Sequence, residues 1–115
     1  MREIVFNAMD CLGIAVTIID PDGILLYYNK HAAEVLDRKP EYIGSEVYEF
    51  HKKATSNEKI RSMIHEFRNG RTTPFHYKAK PYGKIIFVTV SPILEEGIFK
   101  GCVQSVVLEE EVKSE

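Results

Sequence analysis

Two kinds of hydrophobic spacing divide this chain. Between residues 57 and 69 apolar side chains return every three or four positions, at Ile60, Met63, Ile64 and Phe67. That spacing predicts one buried face on an α-helix. Elsewhere the apolar residues come in short runs rich in branched and aromatic side chains, which predict strands over 14–19, 24–28, 73–80, 84–93 and 98–108. The run 73–80 alternates, with Phe75 and Tyr77 set against His76 and Lys78, so one of its faces turns inward. The run Ile85-Ile86-Phe87-Val88-Thr89-Val90 is apolar nearly throughout.

Breaks between these runs carry turn chemistry. Asp20-Pro21-Asp22-Gly23 joins the first two strands, with Pro21 presetting a turn angle and Gly23 able to take a left-handed one. Asn29 is placed to cap a short helix over 30–37, in which Ala32, Ala33, Val35 and Leu36 are free to pack. Residues 40–51 predict two short helical turns divided by Gly44, the first opened by Pro40. Ser56 stands where the long helix would be capped, Glu58 complements its dipole, and Asn69-Gly70 gives a left-handed stop. Pro81-Tyr82-Gly83 and Glu95-Glu96-Gly97 turn the last strands. Residues 2–10 predict a short leading helix with Ile4, Val5, Phe6 and Met9 apolar, and the closing EEEVKSE reads as a frayed charged tail. Two strands, several helices and three more strands make an α+β pattern: a five-stranded antiparallel sheet with helices on one face.

Composition narrows the function classes. At 115 residues the chain is the size of one domain. Its net charge of −2 provides no basic footprint for nucleic acid or for an anionic membrane. No apolar run approaches the roughly 20 residues that span a bilayer. The N-terminus lacks the pattern of a secretory leader, and Cys11 and Cys102 form no CxxC pair, so the expected compartment is the cytoplasm. Phosphate-binding motifs of the GxxxxGK and GxGxxG kinds are absent, and Ser56 and Ser91 lack a nucleophile-elbow context, so no enzyme activity is expected. Asp20 and Asp22 are explained by their turn, Glu95, Glu96 and Glu109 to Glu111 by a solvated surface.

In order and spacing, the Asp20 to Gly23 turn, the Tyr28-Asn29 junction, Ile43-Gly44 and the last strands with Gly97 and Gly101 resemble a PAS domain, over residues 3–108. The resemblance implies a signal-input or dimerisation module serving an effector such as a histidine kinase or a transcriptional activator. It implies residues 1–10 as a possible dimerisation cap, 11–108 as the PAS domain, and 109–115 as a charged tail or the start of a linker.

It also implies a core able to hold flavin, haem, a small organic acid, an aromatic compound, a fatty acid, or nothing. The photoreactive flavin subfamily carries Asn-Cys-Arg on its middle helix. The matching stretch here, 44–50, has no cysteine, which argues against flavin–cysteinyl photochemistry and leaves only non-covalent flavin as a flavin reading. Haem needs an axial ligand such as imidazole. The family's haem ligand lies about three turns before the helix-ending glycine, and here that count reaches Lys59 or Ile60. His31 reads as solvated, His65 follows Ile64 on the long helix, and His76 faces away from Phe75 and Tyr77. His51, beside Phe50, is the remaining candidate ligand, or else an exposed histidine at a helix end. Candidates for a ligand pocket are Phe50, His51, Met63, Ile64, Phe67, Phe75, Tyr77, Phe87 and Ser105, which could equally form a filled core. Candidates for a homodimer contact are Ile4, Val5 and Met9 on the leading helix, with Ile86, Val88, Gln104 and Val106 taken as outward on the last strands.

Overall fold

A computed structural model describes residues 2–50 and 54–112; the side chains of Arg2, Glu49, Phe50, Tyr82 and residues 54–56 are outside that description. The five strands are β1 (Ala15–Ile19), β2 (Leu25–Tyr28), β3 (Phe75–Ala79), β4 (Ile86–Glu95) and β5 (Ile98–Leu108). They lie in the order β2-β1-β5-β4-β3, every neighbour antiparallel. The helices are α1 (Arg2–Cys11), α2 (Lys30–Val35), α3 (Val47–Phe50), α4 (Ala54–Arg68) and a closing turn, α5 (Glu109–Val112). The α+β sheet read from the sequence is therefore the observed one. The chain leaves the β2 edge, crosses one face through α2 to α4, and returns at the far edge as β3. The β3-β4-β5 meander then brings β5 back beside β1.

Local chemistry explains the β1–β2 hairpin. The Asp20 carboxylate accepts from the amides of Asp22 at 2.8 Å and Ile24 at 2.9 Å, a turn held by its own first side chain. Gly23 sits at φ 85°, and a Cβ there would come within 2.9 Å of the Tyr48 ring. A left-handed angle and a close approach thus both call for glycine. Edge strand β2 is not left open. Leu25 donates to Ser45 at 2.9 Å and accepts from Gly44 at 2.9 Å, while Val47 donates to Gly23 at 2.8 Å.

Asn29 does more than cap α2. It is 1% exposed and makes four hydrogen bonds. Its oxygen accepts from Val16 at 2.9 Å and Ala32 at 3.0 Å, and its amide donates to the carbonyls of Met9 at 2.7 Å and Ile14 at 3.0 Å. One side chain thus joins α1, β1 and α2, and all of its hydrogen-bonding capacity is used.

The inner face of the sheet carries Ala15, Val88, Val90, Cys102 and Val106 against Met63, Ile64 and Phe67 of α4. The Phe67 ring meets Phe75 edge-on at 5.2 Å and Phe99 at 5.8 Å. Register fixes which residues share this face: Tyr77 pairs with Val88, Val88 with Val106, and Val106 with Ala15.

That register corrects four outward assignments. Ile86, Val88 and Val106 are core residues and Gln104 lies on the same inner side, so none of the four is open to a partner on the outer face. It also moves Phe87 and Ser105, assigned inward, to the outer face, where Phe87 is 41% exposed. The physical reason is that β4 is apolar at both parities. Only its pairing with β3, whose Tyr77 is inward, decides the sign.

Two ends also differ. Helix α4 begins at Ala54, so Ser56 lies inside its first turn and is not the cap. Glu109–Val112 of the closing stretch, expected to fray, folds into α5, while residues 113–115 lie outside the described residues. In α5 Glu111 accepts from the Leu108 amide at 3.1 Å, half of a capping box, and Glu109 donates its amide to Ile85 at 3.0 Å.

Candidate functional site

Between α4 and the inner face of the sheet lies a cavity of about 40 Å³. One water needs roughly 10–15 Å³ on this measure, so there is room for a few water-sized groups. Ile60, Met63 and Ile64 form its helix wall; Val90 and Cys102 are on its sheet side. The apolar wall is interrupted by Thr17 of β1, Gln104 of β5 and Arg38, which follows α2. Thr17 and Gln104 are direct cross-strand partners. The Arg38 guanidinium spans both, donating from Nε to Thr17 Oγ1 at 3.1 Å and from Nη2 to Gln104 Oε1 at 3.2 Å. Its Nη1 donates to the Asp37 carbonyl at 3.1 Å. Arg38 is the one charged residue among the described residues that line the cavity.

Other groups here are held neutral. Burial pushes the Cys102 thiol up to about 12, so it stays protonated near neutral pH and is a poor nucleophile. Burial raises the Tyr77 hydroxyl as well, and the Lys59 ammonium lies 3.8 Å from the centre of the Tyr77 ring.

Of the pocket residues expected from the sequence, Met63, Ile64 and Tyr77 line the cavity, and Phe67 and Phe75 pack in the adjoining core. Phe87 and Ser105 are on the opposite face of the sheet. His51 and the Phe50 side chain lie outside the described residues. Thr17, Arg38, Gln104 and Cys102 were missed as lining residues. Arg38 follows a short helix in a polar stretch, where nothing in local spacing marks it as inward.

No other histidine reaches the cavity. His65 is on the solvent side of α4, its ring nitrogens 3.4 and 3.5 Å from the Asn69 amide. His76 meets Thr89 at 3.0 Å on the outer face. His31 is not simply solvated, as its sequence context suggested: it contacts Glu111 of α5 at 2.8 Å and Glu34 at 3.7 Å. Among the described residues no group of three or more His, Cys, Asp or Glu could hold a metal ion. Organic ligand sites run to about 300–1,000 Å³. The cavity does not fit a haem or a flavin, and no described imidazole is placed to bind haem iron there. A second, open cleft of about 220 Å³ lies between α2 and the Pro81–Gly83 turn, with Glu34 and Lys84 at its rim and Ile86 and Leu108 below.

A PAS domain family model matches residues 5–107, nearly the whole chain and every strand. This chain belongs to the PAS domain family. Solved structures agree with this PAS fold. A C-terminal domain from Streptococcus mutans is 26% identical, with TM-score 0.77 over 96% of this chain and 87% of the other. The PAS domain of BvgS from Bordetella pertussis, 11% identical, gives TM-score 0.73 over 96% and 90%. The PAS domain of the histidine kinase ThkA, 19% identical, gives 0.65 over 81% and 96%. No curated protein matches the sequence. PAS domains are sensory and signalling modules found in histidine kinases, and no helix among the described residues is long and apolar enough to cross a membrane.

Proposed function

We propose that this PAS domain is a sensor that takes a small ligand between α4 and the inner face of the sheet. It passes the occupancy of that site to an effector such as a histidine kinase or transcriptional regulator, in cis or in trans, in the cytoplasm. The supporting observation is the polar break in an otherwise apolar cavity, where Thr17, Gln104 and Arg38 converge. A binding site uses a few such groups to orient its ligand. In this reading residues 11–108 sense, and 109–115 lead toward the effector. No catalytic step is assigned to the domain.

The test is a thermal-shift panel of small metabolites on wild type and on Ile60→Phe, which fills the cavity from the helix side. At least one compound is expected to raise the melting temperature of wild type and not of the variant. A panel that stabilises neither, or both equally, contradicts a ligand site in the cavity.

A second reading, a ligand-free homodimerisation module, is favoured by α1. Ile4 is 64% exposed, Val5 54%, and Met9 is half-buried beside them. An apolar stripe of this kind suits a two-fold contact with a second copy. Phe87 is the outer-face residue that would extend it in place of the four inner ones. Light scattering should then give a dimer for wild type and a monomer for Val5→Asp; a monomeric wild type removes this reading.

A further inference from the structure

We propose that the open edge of β3 takes an acidic, extended segment of a partner protein as a sixth strand. The inference goes beyond the ligand pocket and does not depend on it. The first argument is geometry. The sheet has two edges, and the chain closes the one at β2 itself, through backbone hydrogen bonds of Gly44, Ser45 and Val47. At the other edge β3 pairs with β4 alone, and no backbone hydrogen bond among the described residues reaches its free side. Such an edge presents N–H and C=O groups at alternate residues, and strand addition uses them.

The second argument is charge. Residues 67–94 carry Arg68, Arg71, Lys78, Lys80 and Lys84 and no aspartate or glutamate, so all 17 acidic residues of the chain lie outside this stretch. Asp22, Glu66 and Glu110 meet Arg68, Arg71 and Lys84. Lys78 and Lys80 have no acidic partner among the described residues. With His76 they take alternate, exposed positions along β3 and the residue after it. Lys59 of α4, 3.8 Å from the centre of the Tyr77 ring, adds a further cation at this edge.

The third argument is pattern. Phe75, Tyr77 and Ala79, at the other parity of β3, are half-buried against the core. A strand laid on this edge therefore has basic side chains beside one of its faces and apolar ones beside the other. The sequence that fits alternates Asp or Glu with Val, Ile or Leu along the five residues of β3. A second copy of the same edge does not fit, because it would bring two basic rows together.

The experiment is fluorescence anisotropy of a labelled peptide, alternating glutamate and valine, titrated with the whole chain, with ¹⁵N amide spectra recorded alongside. Its controls are a lysine–valine peptide, a peptide of the same composition with the glutamates in one block, and glutamate–valine peptides N-methylated at one or the other set of alternate amides. The glutamate–valine peptide is expected to bind and to shift the amides of His76, Tyr77 and Lys78. The lysine–valine peptide, the block peptide and at least one N-methylated form are expected to bind at least about tenfold more weakly. Lys78→Glu combined with Lys80→Glu is expected to lose the glutamate–valine peptide. No binding at about 1 mM peptide overturns the proposal. Lysine–valine binding as tightly overturns the choice of an acidic partner. A block peptide or both N-methylated forms binding as tightly overturns strand addition, and so do shifts that avoid β3. Undiminished binding by the double variant overturns the role of the two lysines; should that variant fail to fold, the peptides on wild type decide alone.

Discussion

The two faces of the sheet are built from the same kinds of residue and have opposite fates. On the inner face Val88 is 3% exposed within the core cluster. One residue earlier on the same strand, Phe87 faces out and is 41% exposed, although it is the larger apolar side chain. The outer face is covered at one corner, where Phe6 of α1 lies 5.6 Å from the ring of Tyr27. Hydrophobicity along a strand therefore tells how strongly it prefers to be covered. The side on which it is covered is decided by partners distant in sequence.

Aspartate at each of the paired positions breaks or sharpens that contrast most strongly. Val88→Asp buries a charge in the core and should cost more than about 4 kcal/mol, enough to unfold a marginal domain. Phe87→Asp should cost under about 1 kcal/mol. Chemical denaturation of both variants measures the difference, and equal losses would mean that the faces are misassigned.

Next in size is the residue that pins the α1 corner. Asn29→Ala strips four hydrogen bonds from groups of α1, β1 and α2, and should cost about 3–5 kcal/mol by denaturation. A loss near the 1 kcal/mol typical of a cap alone would reduce Asn29 to the role visible in the sequence.

A smaller effect belongs to the inner face at high pH. Because burial raises the Cys102 thiol to about 12, the folded state keeps a proton that the unfolded state gives up near 9. Its contribution to stability is present below pH 9 and is lost as pH rises from about 9 toward 12, with a slope of up to about 1.4 kcal/mol per pH unit. Cys102→Ala should flatten that slope in denaturation curves at pH 8 to about 10.5; an unchanged slope would assign it to other groups.

The smallest expected change is on the outer side. The Tyr27 hydroxyl is buried with no hydrogen-bond partner among the described residues, and burial, then the Asp10 carboxylate, raises its pKa. Tyr27→Phe removes an unsatisfied group and should leave stability unchanged or raise it by up to about 1 kcal/mol. A clear loss on thermal unfolding would show that the hydroxyl has a partner.

Legibility in the sequence followed the range of the interactions. The Asp20 turn, the helical face of Ile60, Met63, Ile64 and Phe67, and the sheet with its helices rest on contacts within a few residues or on spacing. All were readable. The inward position of Val88 and Val106 depends on pairing across strands, with Val88 beside Tyr77. A strand apolar at both parities carries no local sign. The polar part of the site is harder still. Arg38 meets Thr17 and Gln104 across separations of 21 and 66 residues, so no local pattern announces them. Glu111 holding α5 to His31 is of the same kind, at a separation of 80.

The most direct test of the sensory account uses the methionines, three in the chain, of which Met63 lines the cavity and Met9 is on α1. Methyl-¹³C methionine spectra would follow titration with charged and neutral compounds of one to four carbons. The expected result is a saturable shift of Met63 with Met9 unmoved. A Met63 signal indifferent to every compound, or a response confined to Met9, would contradict a ligand site between α4 and the sheet.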